Sequence, residues 1–157
     1  MRMRTLVTTA ALTGILVAVA HDLPKGAAGP AGTVGVTSVS SGTVASNLAL
    51  GQQMAASYGW TGGQWACLDQ LWQGESGWSQ YADTEQTGLT GPGQPFAYGI
   101  PQAYPGTKMP LAAQPASVGG SSSPRAQIRW GLRYIDSVYG SPCAALQFKQ
   151  DNGDKGY

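Results

Sequence analysis

The spacing of apolar residues along the chain predicts a mainly helical protein. The clearest helix covers residues 64–78, where Trp65, Leu68, Trp72 and Glu75 recur at i, i+3, i+7 and i+10. These positions form one stripe of a helix with 3.6 residues per turn. A carboxylate therefore continues an apolar stripe near the point where the helix ends, and Glu75 becomes the first candidate for chemistry.

Residues typical of helix starts and helix ends predict where the other helices lie. A first helix begins near Asn47, where the domain itself is expected to start, and Gly59 closes it. Ser123-Pro124 and Ser141-Pro142 each put Ser at an N-cap and Pro in the first turn, and Gly140 separates the two helices. The pattern thus predicts about four or five short helices.

The central helix has boundary signals at both ends. Thr61 is the expected N-cap, with Gln64 completing a capping box. Gly74 and Gly77 flank Glu75, and glycine allows a helix to stop in a left-handed turn. Burial among indoles disfavours the charged form of a carboxyl group, so we expect Glu75 to keep its proton, as a general acid must. The competing interpretation is a helix-end carboxylate that faces water.

Long loops connect these helices. Residues 79–95 are rich in turn-forming residues, and residues 107–123 end in a Gly-Ser run. The stretch between them, residues 96–102, is apolar and compact, and its proline excludes a long helix. We predict a tight turn there that presents Tyr98 and Gln102.

The N-terminal residues predict an exported protein. Two arginines precede an uncharged, mostly apolar run, and Ala18-Val19-Ala20 matches the small-x-small rule for cleavage. We predict a signal peptide over residues 1–20, a flexible linker over residues 21–46 and one domain over residues 47–157. The alternatives are a retained membrane anchor in place of the signal peptide and a short strand within the linker.

Charge excludes some classes of partner. Loss of Arg2 and Arg4 with the signal peptide lowers Lys plus Arg from 9 to 7, against 8 acidic residues, so the net charge becomes −1. Such a balance does not favour nucleic acid or an anionic membrane surface. We expect a monomer with no stable membrane insertion after cleavage. Five Trp and seven Tyr are many for 157 residues, and they either stack on sugar rings or form core.

The two cysteines, Cys67 and Cys143, are expected to form a disulfide, because an even number of cysteines in an exported chain is typical of one. We expect no metal, because the single histidine, His21, lies ahead of the domain. The sequence has no nucleotide-binding glycine motif and no catalytic-triad signature, so we expect no cofactor and no serine catalysis.

Six short motifs follow one another along the predicted domain. They are Trp65-x-Cys67-Leu68, Glu75-Ser76-Gly77-Trp78, Ala97-Tyr98-Gly99-Ile100-Pro101-Gln102, Gly106-x-Lys108-Met109, Gln127-Ile128-x-Trp130-Gly131-Leu132-x-Tyr134-Ile135 and Tyr139-Gly140-Ser141-Pro142-Cys143. Their order and spacing resemble the lysozyme-like lytic transglycosylases, above all secreted proteins described as transglycosylase-like or aggregation-promoting-factor-like. The resuscitation-promoting factors are more distant relatives. The resemblance runs from about Asn47 to Tyr157 and implies a small lysozyme-like helical domain.

The resemblance also implies roles for individual residues. Glu75 aligns with the family's catalytic glutamate, and Cys67 and Cys143 align with the pair of cysteines expected to be bridged. The expected substrate-binding residues are Trp78, Tyr98, Ile100, Gln102 and Tyr157. Two departures from the family pattern are a longer loop over residues 83–95 and an altered motif over residues 145–148.

Most glycosidases add a second carboxylate to the acid, and the candidates here are Asp69, Asp83 and Glu85. Asp69 points away from Glu75 on a regular helix. A lone acid suits a transglycosylase, in which, by the resemblance, the acetamido group of the substrate stabilises the cation and the same glutamate then acts as base. We therefore expect a cell-wall lytic transglycosylase or muramidase that cleaves the MurNAc-GlcNAc β-1,4 bond of peptidoglycan glycan strands. The alternative is a non-catalytic cell-wall-binding or aggregation-promoting protein on the same fold.

Overall fold

The structure is a computed structural model that describes residues 42–84 and 95–153. Over these residues the protein is mainly helical, as predicted, and has four α-helices. They are α1 (Val44–Ala56), α2 (Gly62–Ser76), α3 (Pro124–Tyr139) and α4 (Pro142–Asp151). None of these helices combines the length and the hydropathy needed to cross a bilayer. The predicted signal peptide, most of the predicted linker, Glu85 and Tyr157 lie outside the described residues.

Helix α1 begins at Val44 because Thr43 caps it. The Thr43 Oγ1 accepts a hydrogen bond from the backbone N–H of Ser46, and the Ser46 Oγ accepts one from the backbone N–H of Thr43. Helix α1 thus begins three residues before Asn47, near which it was expected to start, and the last residues of the predicted linker are helical.

The predicted starts of α3 and α4 are confirmed. The Ser123 Oγ accepts a hydrogen bond from the backbone N–H of Ala126 at 3.4 Å, and the Ser141 Oγ accepts one from Ala144 at 3.3 Å. Gly140 closes α3 with a φ of 74°, in the left-handed region that favours glycine. These helix boundaries follow from local sequence alone.

Helix α2 begins after Thr61, as predicted, but without the predicted capping box. The Thr61 side chain makes no capping hydrogen bond. The Gln64 Oε1 instead accepts a hydrogen bond from the backbone N–H of Cys143 at 3.1 Å, in the first turn of α4. Gln64 therefore fastens the start of α4 onto α2. At its other end α2 stops at Ser76, and Gly77 follows in the left-handed conformation expected of it.

Helices α2 and α4 lie side by side and run in the same direction. Cys67 and Cys143 are joined by the predicted disulfide, which ties the first half of α2 to the first turn of α4. In the last turn of α2, Glu75 contacts Lys149 in the last turn of α4. The two contacts occur in the same order along both helices, so the C-terminal ends of α2 and α4 lie next to each other.

The main core lies between α2, α3 and the chain that follows α2. Its fully or almost fully buried side chains are Leu68, Leu71, Trp72, Trp78, Ile100, Ile128, Leu132 and Ile135. Gly131 allows α3 to approach Trp72 closely, since a Cβ at this position would lie 2.6 Å from the indole Cζ2. The same Cβ would lie 2.9 Å from Pro101, so Gly131 also admits the predicted tight turn against α3.

The chain between the tight turn and α3, predicted to be a loop, contains three 3-10 turns. They are Gly106–Lys108, Leu111–Ala113 and Ala116–Val118. A proline precedes each turn: Pro105, Pro110 and Pro115 all have extended backbone, with ψ near 155°. Proline fixes φ in the residue that precedes each short helical turn. The five-residue spacing of the three prolines is the feature of the sequence that corresponds to the regular spacing of these turns.

Candidate active site

Glu75 lies in the last turn of α2 and its side chain is only 13% exposed. Its Oε1 accepts a hydrogen bond from the Nζ of Lys149 at 2.5 Å, and the Lys149 side chain is 14% exposed. Glu75 is therefore not a carboxylate that faces open water. Its partner is an ammonium group, whereas the sequence led us to expect indoles to surround the carboxyl group.

Ser76, the residue after Glu75, ties the end of α2 to the predicted tight turn. The Ser76 Oγ donates a hydrogen bond to the backbone oxygen of Ile100 at 2.8 Å. Within the turn, the backbone N–H groups of Tyr98 and Ala103 each donate to the other residue's oxygen at 3.2 Å. This segment, residues 98–103, is called the site turn below. The residue after Glu75 is thus hydrogen-bonded to the site turn.

Gln102 holds the site turn together from within. Its backbone has a φ of 47°, which residues other than glycine rarely adopt. Its Nε2 donates to the backbone oxygen of Gly99 at 2.9 Å and to that of Ala82 at 3.1 Å. Both amide hydrogens of Gln102 therefore serve the turn and its neighbouring segment, and its half-buried side chain is built into the turn.

Gln127 of α3 supports the site turn through a hydrogen bond to its backbone, and sequence reasoning assigned Gln127 no role. It is fully buried, and its Oε1 accepts a hydrogen bond from the backbone N–H of Ile100 at 2.9 Å. Its Nε2 donates to the backbone oxygens of Gln80 at 3.0 Å and Ala113 at 2.9 Å. The signal in the sequence is a glutamine beside the buried Ile128, inside an otherwise apolar helix face.

Trp78, expected to contact substrate, is fully buried instead. Its φ of 61° continues the left-handed turn that Gly77 begins. Its ring meets those of Trp65 and Trp72 at centroid distances of 5.6 and 5.1 Å. The Nε1 of Trp78 donates to Asp69 Oδ1 at 2.8 Å. The expected sugar contact is therefore wrong for this side chain, because two successive left-handed residues direct it into the core.

Ile100 and Tyr98 are also buried, at 0% and 2% exposure, so neither side chain offers a surface to a sugar. The Tyr98 hydroxyl shares a hydrogen bond of 2.7 Å with the Ser122 Oγ. Burial raises the pKa of Tyr98, the hydrogen bond to Ser122 opposes this, and Asp83 and Tyr81 add to the increase. Both expected contacts act instead as internal supports of the site turn. Tyr157, the remaining expected contact, lies outside the described residues.

Two exposed tyrosines flank the site turn and were missed by sequence reasoning. Tyr81 and Tyr104 are each 58% exposed. Tyr81 precedes Ala82, whose backbone oxygen accepts a hydrogen bond from Gly99 at 2.8 Å. Tyr104 directly follows Ala103 at the end of the turn. These rings present aromatic surface where the buried Trp78 and Tyr98 do not.

The two candidate second carboxylates within the described residues, Asp69 and Asp83, have contacts of their own. Asp69 accepts from the indole of Trp78, which makes it a support of the core. Asp83 forms an isolated antiparallel bridge with Tyr98 and is half-buried. Among the described residues, no group of three or more His, Cys, Asp or Glu side chains is placed to hold a metal ion. A cavity of about 300 Å³ between α1 and the start of α3 does not include Glu75.

Lys149 is the residue that sequence reasoning missed at the centre of the site. Glu75 lies about 12 Å beyond Cys67 along α2, and Lys149 lies about 9 Å beyond Cys143 along α4, at 1.5 Å per residue. A disulfide between two helices that run in the same direction therefore brings Lys149 within reach of Glu75. The disulfide was predictable from the sequence, whereas the relative direction of the two helices was not.

Comparison with known proteins adds no relative to this picture. No protein-family model matches the chain, and no curated protein and no solved structure matches it. A function is therefore proposed from the residues around Glu75 and the site turn.

Proposed function

We propose that this protein is a secreted lytic transglycosylase or muramidase that cleaves the MurNAc-GlcNAc β-1,4 bond of peptidoglycan, with Glu75 as its general acid and base. One observation carries the proposal. Glu75 is shielded from water at the end of α2, and the adjacent Ser76 is hydrogen-bonded to the site turn. This is the pairing of carboxyl group and turn that the resemblance to lysozyme-like transglycosylases implied.

The proposed reaction needs one carboxyl group in two protonation states. Protonated Glu75 gives its proton to the glycosidic oxygen while the C1–O bond breaks and its electron pair moves to that oxygen. The acetamido oxygen of the substrate stabilises the oxocarbenium-like C1 by bonding to it. Glu75, now a carboxylate, takes the proton from the 6-hydroxyl as O6 bonds to C1 and the acetamido oxygen leaves. Attack by water in place of the 6-hydroxyl gives the muramidase product.

The exposed tyrosines next to the site turn are the proposed sugar contacts. Tyr81 and Tyr104 offer ring faces to solvent, and aromatic faces pack well on the apolar faces of sugar rings. They take the role that the sequence assigned to Trp78 and Tyr98.

The test is digestion of purified cell wall by wild-type protein and by the Glu75→Gln variant. Loss of the acid is expected to lower the rate of muropeptide release by about 10²–10⁴-fold. Asp136→Asn is the matched control, because Asp136 is an exposed carboxylate on α3 and should leave the rate unchanged. Mass spectrometry of the products separates anhydro from reducing ends. Equal rates of muropeptide release by Glu75→Gln and wild type would contradict the proposal that the protein is an enzyme.

A second candidate function is non-catalytic binding to the cell wall or promotion of aggregation. It is favoured by the engagement of Glu75 by Lys149 and by the burial of Trp78, Tyr98 and Ile100, which were expected to contact glycan. This function predicts that the protein sediments with insoluble wall and releases no muropeptides even at high protein concentration. Release that depends on Glu75 decides against it.

A further inference from the structure

We propose that three arginines of α3, called the arginine row below, bind a linear phosphodiester polymer of the cell wall. They are Arg125, Arg129 and Arg133, which lie four residues apart and are all exposed. Neighbouring members are about 6 Å apart along the helix axis and share one side of the helix. The proposal rests on the cell-wall location in the function proposed above, but it does not depend on catalysis by Glu75.

The arginine row has no anionic partner in the part of the chain that the structure describes. Within residues 42–84 and 95–153, no carboxylate forms an ion pair with any of its guanidinium groups, and no hydrogen bond involves them. Asp136, the one acidic residue of α3, lies three residues beyond Arg133 without pairing with it. The other acidic residues described lie outside α3, and they are Asp69, Glu75, Asp83 and Asp151. The row therefore presents three uncompensated positive charges to solvent.

The position of these charges works against the helix that carries them. Arg125 lies in the first turn of α3, where the positive end of the helix dipole disfavours a cation and where there is no acidic residue. Like charges four residues apart on a helix repel each other, and the arginine row contains two such pairs. The stability of α3 therefore does not account for the three arginines. Residues that reduce stability are common where they serve function.

The positive charge of the arginine row is local. Lys plus Arg is 9 and Asp plus Glu is 8, so the chain as a whole is almost neutral. The other cationic side chains in the described residues are Lys108, in a 3-10 turn, and Lys149, which is paired with Glu75. Because the net charge does not attract polyanions in general, attraction of an anionic polymer is concentrated on this side of α3.

The regular spacing of the arginine row favours one class of anionic partner. A linear phosphodiester polymer repeats its negative charge along the backbone, so successive phosphates can meet successive guanidinium groups. The planar fork of N–H donors on arginine matches the geometry of phosphate oxygens. The carboxylates of peptidoglycan peptides are carried on flexible side branches and do not form such a regular line. Binding of the polymer would hold the secreted protein at the cell wall.

The test is binding of fluorescently labelled poly(glycerol phosphate), measured by anisotropy over a series of salt concentrations. For wild type, three phosphate contacts predict that the logarithm of the association constant falls with log salt at a slope of about −2. The variant Arg125→Gln/Arg129→Gln/Arg133→Gln should bind about tenfold more weakly or worse at low salt. Arg129→Gln alone should weaken binding, whereas Lys108→Gln is the matched control, because it removes one exposed charge outside the row.

Two further measurements on the triple variant separate binding from a role in folding or catalysis. It should unfold at the same urea concentration as wild type or a higher one, because repulsion within α3 is removed. It should cleave soluble glycan strands at the wild-type rate, so failure of this proposal and failure of the enzyme proposal give different results. Equal polymer binding by the triple variant and wild type would overturn the proposal. So would a lower urea midpoint for the variant, or tighter binding of wild type to glycan strands with peptide stems than to the polymer.

Discussion

At the scale of single residues, Trp78 has a left-handed backbone, with a φ of 61°, which residues other than glycine rarely adopt. A left-handed backbone costs a non-glycine residue about 1–2 kcal/mol, and Trp78 adopts it directly after Gly77. Full burial of the indole and its hydrogen bond to Asp69 offset this cost. Asp69 is therefore a residue that stabilises the fold, although the sequence made it a candidate second carboxylate.

The Asp69→Ala variant should lower the free energy of unfolding by about 1–3 kcal/mol, because the buried indole N–H loses its acceptor. Asp69→Asn is the matched control, since its side-chain oxygen still accepts this hydrogen bond, and it should lose less. Urea unfolding at neutral pH measures both. If Asp69→Asn is as stable as wild type but has lost all glycan release, Asp69 takes part in the chemistry and its purely structural role is wrong.

At the scale of elements, α1 contacts the rest of the core through a glycine. A Cβ on Gly51 would overlap the Trp78 ring, so α1 lies directly on this indole. Asn47, one turn earlier on α1, donates from its Nδ2 to the backbone oxygen of Trp78 at 3.0 Å. Helix α1 thus holds Trp78 by both its ring and its backbone, two residues beyond the end of α2.

We expect Gly51→Ala to destabilise the protein, although alanine favours a helix. Overpacking costs about 1–3 kcal/mol, whereas the gain in helix propensity is about 0.5–1 kcal/mol. Gly74→Ala is the matched control, because a Cβ at Gly74 in α2 meets no atom within 4 Å. It should stabilise the protein by the propensity gain alone. Opposite shifts of the two urea midpoints are expected, and two equal stabilisations would show that α1 does not lie against Trp78.

The elements also show which features the sequence could predict. Ser123-Pro124, Ser141-Pro142 and Gly77 determine helix ends through neighbouring residues, and those boundaries are where they were predicted. The burial of Trp78 depends on its packing against α1 and on a second left-handed residue, which no local pattern indicates. Lys149 meets Glu75 only because α2 and α4 run in the same direction, and that is a property of the tertiary fold.

At the scale of the whole molecule, left-handed non-glycine residues occur around the candidate site. Among the described residues they are Trp78, Gln102 and Ser122. Trp78 follows the end of α2, Gln102 closes the site turn, and Ser122 is hydrogen-bonded to Tyr98 within that turn. Backbone strain of this kind persists where surrounding structure enforces it, and it is frequent at functional sites. The distribution agrees with a site built around Glu75 and the turn.

The disulfide connects this site to global stability, because it ties α4, and with it Lys149, to α2. Cys67 and Cys143 are 76 positions apart, and the chain-entropy model gives such a bond up to about 4.5 kcal/mol. The Cys67→Ser/Cys143→Ser variant should therefore unfold at a much lower urea concentration than oxidised wild type. Reductant should lower the wild-type midpoint towards that of the variant and leave the variant unchanged. Equal midpoints for variant and oxidised wild type would mean that the remaining contacts hold α4 on α2 without the covalent bond.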